Sequence, residues 1–115
     1  MKMTQLWETK EKPTISFEFF PARNEKAEGK QGKVIDKLAA IKPDFVSVTF
    51  GAGASTREGS YALAKKLKEE KGLEVLPYFA FIGLGPDDIT SIVDAYRDLG
   101  VENILAVRGD LPKDK

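Results

Sequence analysis

The chain has no cysteine and no histidine among its 115 residues, and these two absences exclude several kinds of chemistry. Without cysteine there can be no disulfide, no thiolate nucleophile and no sulfur-bound metal. Without histidine the commonest general base and the commonest metal ligand are also missing. A mechanism that needs no metal fits this composition.

Long apolar runs and an excess of one charge are missing as well. No stretch approaches the roughly 20 apolar residues of a membrane span, and Met1–Lys12 lacks the apolar centre of a signal peptide. The 18 basic and 18 acidic residues cancel and form no long block, so neither a nucleic-acid nor a membrane partner is expected. Length and an apolar content of 42% predict one cytoplasmic globular domain over residues 1–115.

Apolar patterns alternate between strand and helix along the chain. The run Ile15–Pro21 has the two-residue period of a strand, and apolar residues recur at helical spacing over 34–41 after a polar segment, 24–33, expected to be a loop. Further strands are expected over 44–50, 73–82 and 103–107, with a helix from Ser55 or Thr56 to Gly72 and another from Pro86 to Gly100. This order predicts a parallel α/β sheet, either open or part of a barrel.

The first strand carries a single carboxylate, Glu18, between aromatic residues. Burying an ionised carboxylate alone is costly, so such a group finds a partner or keeps its proton. A carboxyl group that keeps its proton near neutral pH suits general acid catalysis. The alternative interpretation is a glutamate at a strand end that is solvated or paired with a lysine or arginine.

Polar residues also fall at the carboxyl ends of the other expected strands, where parallel α/β folds build their sites. The set is Glu18, Thr49, Tyr78, Arg108 and Asp110. Arg108 and Asp110 are expected on the same face as Ala106, the face that would line a barrel. Each residue also has a structural interpretation: Thr49 as a barrel-layer residue, Tyr78 as a core aromatic, and Arg108 with Asp110 as a surface ion pair.

Two short motifs do not indicate function. Gly51-x-Gly53 lies between a strand and a helix, but Thr56 stands where the dinucleotide-binding fingerprint has its third glycine. Arg108-Gly109-Asp110 spells a cell-adhesion tripeptide, yet nothing in the sequence indicates secretion. A cation, a glycine and an anion at one strand end could instead hold the phosphates or the polar ring edge of a cofactor.

Three motifs together resemble the methylenetetrahydrofolate reductase family. They are Phe17-Glu18-Phe19-Phe20-Pro21, then the segment 42–52 reading KPDFVSVTFGA, then the segment 105–112 reading LAVRGDLP. The resemblance covers the chain from Thr14 onward and about the first two-fifths of a bacterial reductase. It implies the amino-terminal half of a flavin-dependent (βα)8 TIM barrel, here with four strands and three helices. The family reduces 5,10-methylenetetrahydrofolate to 5-methyltetrahydrofolate with FAD and NADH or NADPH.

The resemblance also implies residue roles. Glu18 matches the general acid that protonates the bridging nitrogen of the folate, and Asp110 matches an aspartate beside the flavin and the folate. Thr49, Phe50, Ala52, Arg108 and Gly109 match flavin-contacting positions. Tyr78 is a departure, because the bacterial pattern often has histidine there, although a tyrosine can still donate a hydrogen bond to a cofactor.

Two other functions stay open from the residues alone. One is a non-catalytic half-barrel module that assembles with itself or binds a partner chain, since a half barrel leaves two strand edges unpaired. The other is a different flavin barrel, such as a proline-dehydrogenase-like oxidoreductase, against which Glu18 and the Arg-Gly-Asp segment both argue. A folate substrate, and either a homo-oligomer or completion by the missing half of the barrel, are the expected partners.

Overall fold

The computed structural model describes residues 1–9, 11, 13–22, 24–50 and 54–108, with only the backbone described for 54–57. Four strands alternate with helices, and all strand pairs are parallel. The strands are β1 (Ser16–Phe19), β2 (Phe45–Val48), β3 (Val75–Ala80) and β4 (Leu105–Val107). The helices are α1 (Met3–Thr9), α2 (Glu25–Ala40), α3 (Ala54–Lys65), which continues as a π-helix over Lys66–Glu70, and α4 (Pro86–Leu99). The predicted parallel α/β order is confirmed.

The strands form one sheet in the order β1-β2-β3-β4. In the register, Glu18 lies opposite Ser47 and Ser47 lies opposite Leu76. The strand β3 pairs with β2 through Val75–Pro77 and with β4 only further along, through Tyr78–Ala80. Pro77, which has no N–H group to donate, is the last residue paired with β2.

One face of the sheet forms the core with the helices. Phe19, Val46, Val48 and Val75 alternate along the strands and are at most 6% exposed. They belong to one cluster with residues from every helix on that side: Ile35 of α2, Leu63 and Ala64 of α3, Leu67 of the π-helix and Tyr96 of α4. Burial of apolar surface stabilises a fold by roughly 25 cal/mol per Å². This face therefore holds the elements together and leaves the opposite face to carry a site.

The ends of α4 and α2 show how local chemistry sets helix boundaries. Pro86 opens α4 and Gly100 closes it at φ 93°, a left-handed conformation that favours glycine. These two predicted ends are confirmed. The expectation of a loop over 24–33 is wrong, since Asn24 caps α2 by accepting a hydrogen bond from the Ala27 N–H at 2.8 Å. The side-chain cap and the acidic Glu25 and Glu28 start the helix about nine residues before its apolar stripe.

The short helix α1 was not predicted. It is fixed by long-range contacts: the Asn103 side chain accepts from the Met3 N–H at 2.8 Å and donates to the Met1 carbonyl at 2.7 Å. The Met1 ammonium lies 2.7 Å from Glu74 and 2.9 Å from Glu102. These hydrogen bonds, the one to Glu74 foremost, raise the pKa of the Met1 amino group. Because its partners directly precede β3 and β4, α1 lies at the amino end of the sheet, away from the expected site.

Candidate active site

The face of the sheet opposite the core carries polar side chains from three adjacent strands. Glu18 and Ser47 are register partners, and Tyr78 follows Leu76, the partner of Ser47, two residues further along β3. Side chains two residues apart on a strand point to the same face. Glu18, Ser47 and Tyr78 therefore share the face that the helix core does not use.

Two hydroxyl groups converge on one oxygen of Glu18. The Tyr78 hydroxyl donates a short hydrogen bond to Glu18 Oε1, and the Ser47 hydroxyl lies 3.4 Å from the same atom and donates to it. Ser47 is 7% exposed, whereas Glu18 lies on the exposed side of the sheet. No described residue hydrogen-bonds to the other oxygen, Oε2. Among the described residues, the hydrogen bonds of this exposed carboxyl group thus all fall on Oε1.

The contact with Glu18 also sets the protonation of Tyr78. The hydrogen bond to Glu18 and, secondarily, removal of the ring from water raise the pKa of Tyr78 above its ordinary value of 10.0, while the Ser47 hydrogen bond opposes this. A phenol with a raised pKa keeps its proton throughout the neutral range. Tyr78 is therefore a hydrogen-bond donor at physiological pH.

Glu18 is exposed, as the alternative interpretation of a solvated glutamate expects. Its partners are hydroxyl groups, and within the described ranges no lysine or arginine forms an ion pair with it. The premise that the apolar strand buries Glu18 is wrong, because the helices cover only the Phe17 and Phe19 face of β1. Glu18 is an accessible carboxyl group held by hydrogen bonds.

Thr49 and Phe50, which follow β2, are placed differently from one another. The Thr49 N–H donates to the Phe19 carbonyl at 3.1 Å, and its own carbonyl accepts from the Ser60 hydroxyl at 2.6 Å, so its backbone is fixed beside the end of β1. The Phe50 ring stacks on Phe79 of β3, with centroids 5.4 Å apart and planes 17° from parallel. Phe79 belongs to the buried side of β3. Any contact from Phe50 to a ligand on the Glu18 face would therefore have to come from its backbone.

The end of β4 is described as far as Arg108. Ala106 pairs with Phe79, so Ala106 lies on the helix side of the sheet, and Leu105 and Val107 share the face of Tyr78. The expectation that Ala106 lies on the face that would line a barrel is therefore wrong, because its side chain belongs to the opposite face of the sheet. The Arg108 carbonyl accepts from the Ile82 N–H at 2.8 Å, which ties the end of β4 to the end of β3. Ala52, Gly109 and Asp110 lie outside the described residues.

A separate cavity of about 380 Å³ lies on the helix side, between α3 and α4. Its lining residues are Phe50, Glu58, Tyr61, Ser91, Ile92, Ala95 and Tyr96. Burial, with a smaller contribution from Tyr61, raises the pKa of Tyr96 to about 12. The sheet separates this cavity from Glu18, so it forms no part of the candidate site.

Neither a metal-binding cluster nor a membrane-spanning helix occurs in the described part of the chain. No three acidic side chains there gather closely enough to hold a metal ion. No helix in the same ranges combines the length and apolarity needed to cross a bilayer.

Comparison with known proteins identifies the family. The family model described as methylenetetrahydrofolate reductase matches residues 2–115. The chain belongs to the methylenetetrahydrofolate reductase family. Its four parallel strands alternating with helices are consistent with the amino-terminal part of that family's (βα)8 barrel, as the three sequence motifs indicate.

Individual relatives carry the same name. The chain is 41% identical over 98 residues to the 5,10-methylenetetrahydrofolate reductase of Escherichia coli K12, covering 85% of the chain and 33% of that protein. The protein of that name from Pectobacterium carotovorum is 39% identical over 100 residues, 87% of the chain and 34% of the relative. The Arabidopsis thaliana methylenetetrahydrofolate reductase (NADH) 1 is 30% identical over 98 residues, covering 85% of the chain and 17% of that protein. The chain thus spans about a third of the length of its bacterial relatives.

The site contains one residue that sequence reasoning missed. A serine in a strand is ordinary, so the sequence alone does not single out Ser47. Its register with Glu18 is the missing information. Cross-strand neighbours on one face lie within interaction distance, so a polar residue opposite a candidate acid is the signal that could have found it.

Proposed function

We propose that this chain forms the amino-terminal part, residues 1–115, of a flavin-dependent (βα)8 barrel that reduces 5,10-methylenetetrahydrofolate to 5-methyltetrahydrofolate. NADH or NADPH would supply the electrons. The observation that supports this most is the accessible Glu18 carboxyl group, held by Tyr78 and Ser47 on the open face of the sheet. Membership of the reductase family supplies the reaction class.

Glu18 would be the general acid. Reduction of the substrate requires its five-membered ring to open, and protonation of the bridging nitrogen makes that nitrogen a leaving group. The proton passes from the carboxyl group of Glu18 to the bridging nitrogen. The bond between this nitrogen and the methylene carbon then breaks, and its electron pair stays on the protonated nitrogen. The lone pair of the other nitrogen forms a double bond to the methylene carbon, which gives the iminium ion. Proton transfer by a positioned carboxyl group typically contributes 10²–10⁴-fold to a rate. Among the described residues, Glu18 is the exposed carboxyl group on this face whose hydrogen bonds all fall on one oxygen.

The described residues fit a flavin on the same face. FAD, when bound, supplies the hydride that reduces the iminium carbon. Thr49, at the end of β2, offers a hydroxyl donor that suits the carbonyl groups of a flavin, whereas the single hydroxyl proton of Tyr78 is already donated to Glu18. The family resemblance assigns Arg108 to the flavin as well. The family resemblance adds Ala52, Gly109 and Asp110, and Asp110 would also contact the folate. Phe50 would contribute through its backbone.

A spectroscopic experiment tests this function. The full-length reductase containing this chain should purify with absorbance bands in the blue and near ultraviolet from bound flavin. NADH or NADPH should bleach the bands without oxygen, and 5,10-methylenetetrahydrofolate should restore them. A colourless protein that binds no added flavin, or a bleached flavin that the folate cannot reoxidise, would contradict the proposal.

A second candidate function, a self-assembling half-barrel module, is favoured by the apolar surface on the open face. Phe20, Leu105 and Val107 are 63%, 41% and 38% exposed. β1 and β4 stand at the two edges of the sheet, where their free backbone groups can pair with another strand. A chain with this surface needs a partner to cover it, either the remainder of a barrel or a second copy.

The chain produced alone therefore should associate. Exposed apolar patches with open strand edges drive association, so light scattering after size exclusion should give at least twice the 12.7 kDa monomer mass. Flavin titration of the same sample should show weak binding, because only part of the site is present. Phe20→Ser should shift the population towards monomer, whereas Trp7→Ser, which alters a side chain 61% exposed on α1, should not. A wild-type monomer that binds flavin tightly would disprove the need for a partner.

A further inference from the structure

We infer that the hydroxyl groups of Tyr78 and Ser47 occupy Oε1 of Glu18 and thereby hold its transferable proton on Oε2. Tyr78 is then a positioning residue for the general acid rather than a catalytic residue. The inference rests on the proposed role of Glu18 and goes beyond it by naming the atom that carries the proton and the groups that select it.

A carboxylate oxygen can accept only a limited number of hydrogen bonds. Each oxygen has two lone pairs that can accept hydrogen bonds. Tyr78 donates to Oε1, the single proton of Ser47 is shared between Oε1 and the Tyr78 oxygen, and no described residue donates to Oε2. A proton on Oε1 would have to displace one of these donors, whereas a proton on Oε2 displaces none. The two oxygens are therefore unequal before any substrate binds.

The hydrogen bond between Tyr78 and Glu18 selects Oε2 only if Tyr78 is the donor. A phenol could turn its proton away and accept from a protonated Oε1, which would reverse the selection. An ionised carboxylate has no proton to give, so the phenol is the donor in this contact, and the same contact raises the pKa of Tyr78. Donation by Tyr78 persists when Glu18 is protonated on Oε2, because Oε1 remains an acceptor.

Residues of two other strands orient the Glu18 carboxyl group. Tyr78 belongs to β3 and Glu18 to β1, so two inter-strand spacings, about 10 Å in total, separate their backbones. The Tyr78 side chain therefore crosses β2 to reach Glu18, and Ser47 of β2 contacts the same oxygen. Contacts from two different strands fix the rotation of the carboxyl group, and Glu18 lies on the exposed side of the sheet, where a substrate can approach.

Within the described ranges, few polar groups face Glu18. Ser47 faces it from β2 and Tyr78 from β3, while its neighbours on the same face of β1 are the uncharged Ser16 and Phe20. Among the residues that the structure describes, Glu18 and Ser47 are the groups that shift the pKa of Tyr78. The pH dependence of Glu18 chemistry should therefore respond to these two hydroxyl groups.

The main test measures the pH profile of folate reduction in the full-length reductase. Tyr78→Phe removes a donor to the ionised carboxyl group, so the alkaline limb of the profile should move up by about one pH unit. The maximal rate should fall about tenfold because the carboxyl group loses its orientation, while flavin reduction by NAD(P)H stays normal. Ser47→Ala removes a longer contact and should cause a smaller shift in the same direction. Tyr61→Phe, a tyrosine on the helix side, is the matched control and should change neither quantity.

Two outcomes of this test would overturn the inference. A lower rate with an unshifted alkaline limb would show that Tyr78 is merely structural. A profile and rate identical to the wild type would show that the contact has no influence on the acid.

A second measurement needs neither folate reduction nor a folded Tyr78 variant. The titration of Tyr78 is followed by NMR in protein labelled at the tyrosine rings, in the wild type and in Glu18→Gln. Replacing the carboxylate should lower the pKa of Tyr78 towards 10, the ordinary value for tyrosine. An unchanged titration would disprove the hydrogen bond and the inference with it. Because this readout is independent of activity, it separates failure of the inference from failure of the proposed general acid.

Discussion

Glu18→Gln in the full-length reductase is expected to lower the rate of folate reduction by at least about 100-fold, the lower range for loss of a general acid. The amide has the shape of the carboxyl group and can still accept hydrogen bonds from Tyr78 and Ser47. It cannot transfer a proton to the bridging nitrogen. Flavin reduction by NADH or NADPH should continue at the wild-type rate, since it requires no proton from this residue. Stopped-flow measurement of the two half-reactions separates these effects.

The matched control for this substitution is Glu8→Gln, which removes one exposed carboxylate from α1. Both half-reactions of the control should match the wild type. Equal loss of both half-reactions in Glu18→Gln would indicate a disturbed fold or a structural role. A folate half-reaction that proceeds normally would remove Glu18 from the mechanism.

The largest stability effect is expected from Leu67→Ala, which should destabilise the protein by about 3 kcal/mol. Leu67 lies in the π-helix and is fully buried, in the same core cluster as Val48 and Val75 of the sheet. Truncation to alanine removes apolar contacts and leaves a cavity that the surrounding strands can close only in part. Urea unfolding followed by circular dichroism measures the loss as a lower midpoint.

Two variants frame this measurement. Leu67→Met keeps most of the volume and should cost less than about 1.5 kcal/mol. Ile41→Ala truncates a side chain of similar size that is 59% exposed at the end of α2, and it should cost less than about 0.5 kcal/mol. A Leu67→Ala midpoint equal to that of Ile41→Ala would show that the π-helix does not pack on the sheet as described.

Elements with strong local signals could be predicted from the sequence. The helix α4 has a proline at its first position, acidic residues in its first turn and a glycine at its end. Each of these signals acts on residues within one helical turn of itself. The helix before β3 carries apolar residues at helical spacing, of which Ala64 and Leu67 are fully buried and Tyr61 is half-buried. The alternation of buried and exposed residues in β3 is likewise a local property of the pleated strand.

Elements that depend on distant contacts could not be predicted in the same way. The helix α1 is fixed by Asn103, Glu74 and Glu102, all more than 70 residues away. The exposure of Glu18 and the side occupied by Ala106 both depend on which face the helices cover. The convergence of Ser47 and Tyr78 on one oxygen depends on register across three strands, which local patterns do not encode. Sequence therefore indicated the acid and the fold, while the hydrogen bonds that orient the acid required the structure.

The shift of pairing along β3 gives the sheet a shear. Ser16 pairs with Phe45, so β2 starts level with β1, but β3 meets β2 through Val75–Pro77 and β4 through Tyr78–Ala80, so β4 starts well along β3. A sheet with accumulated shear tilts its strands against a common axis, and such tilt is the condition for closing a barrel. A strand that joins the β4 edge must therefore enter at a slant and continue the same offset. A second copy of the chain could complete a ring only if its β1 edge meets β4 with that offset, which is a stricter requirement than matching two apolar faces.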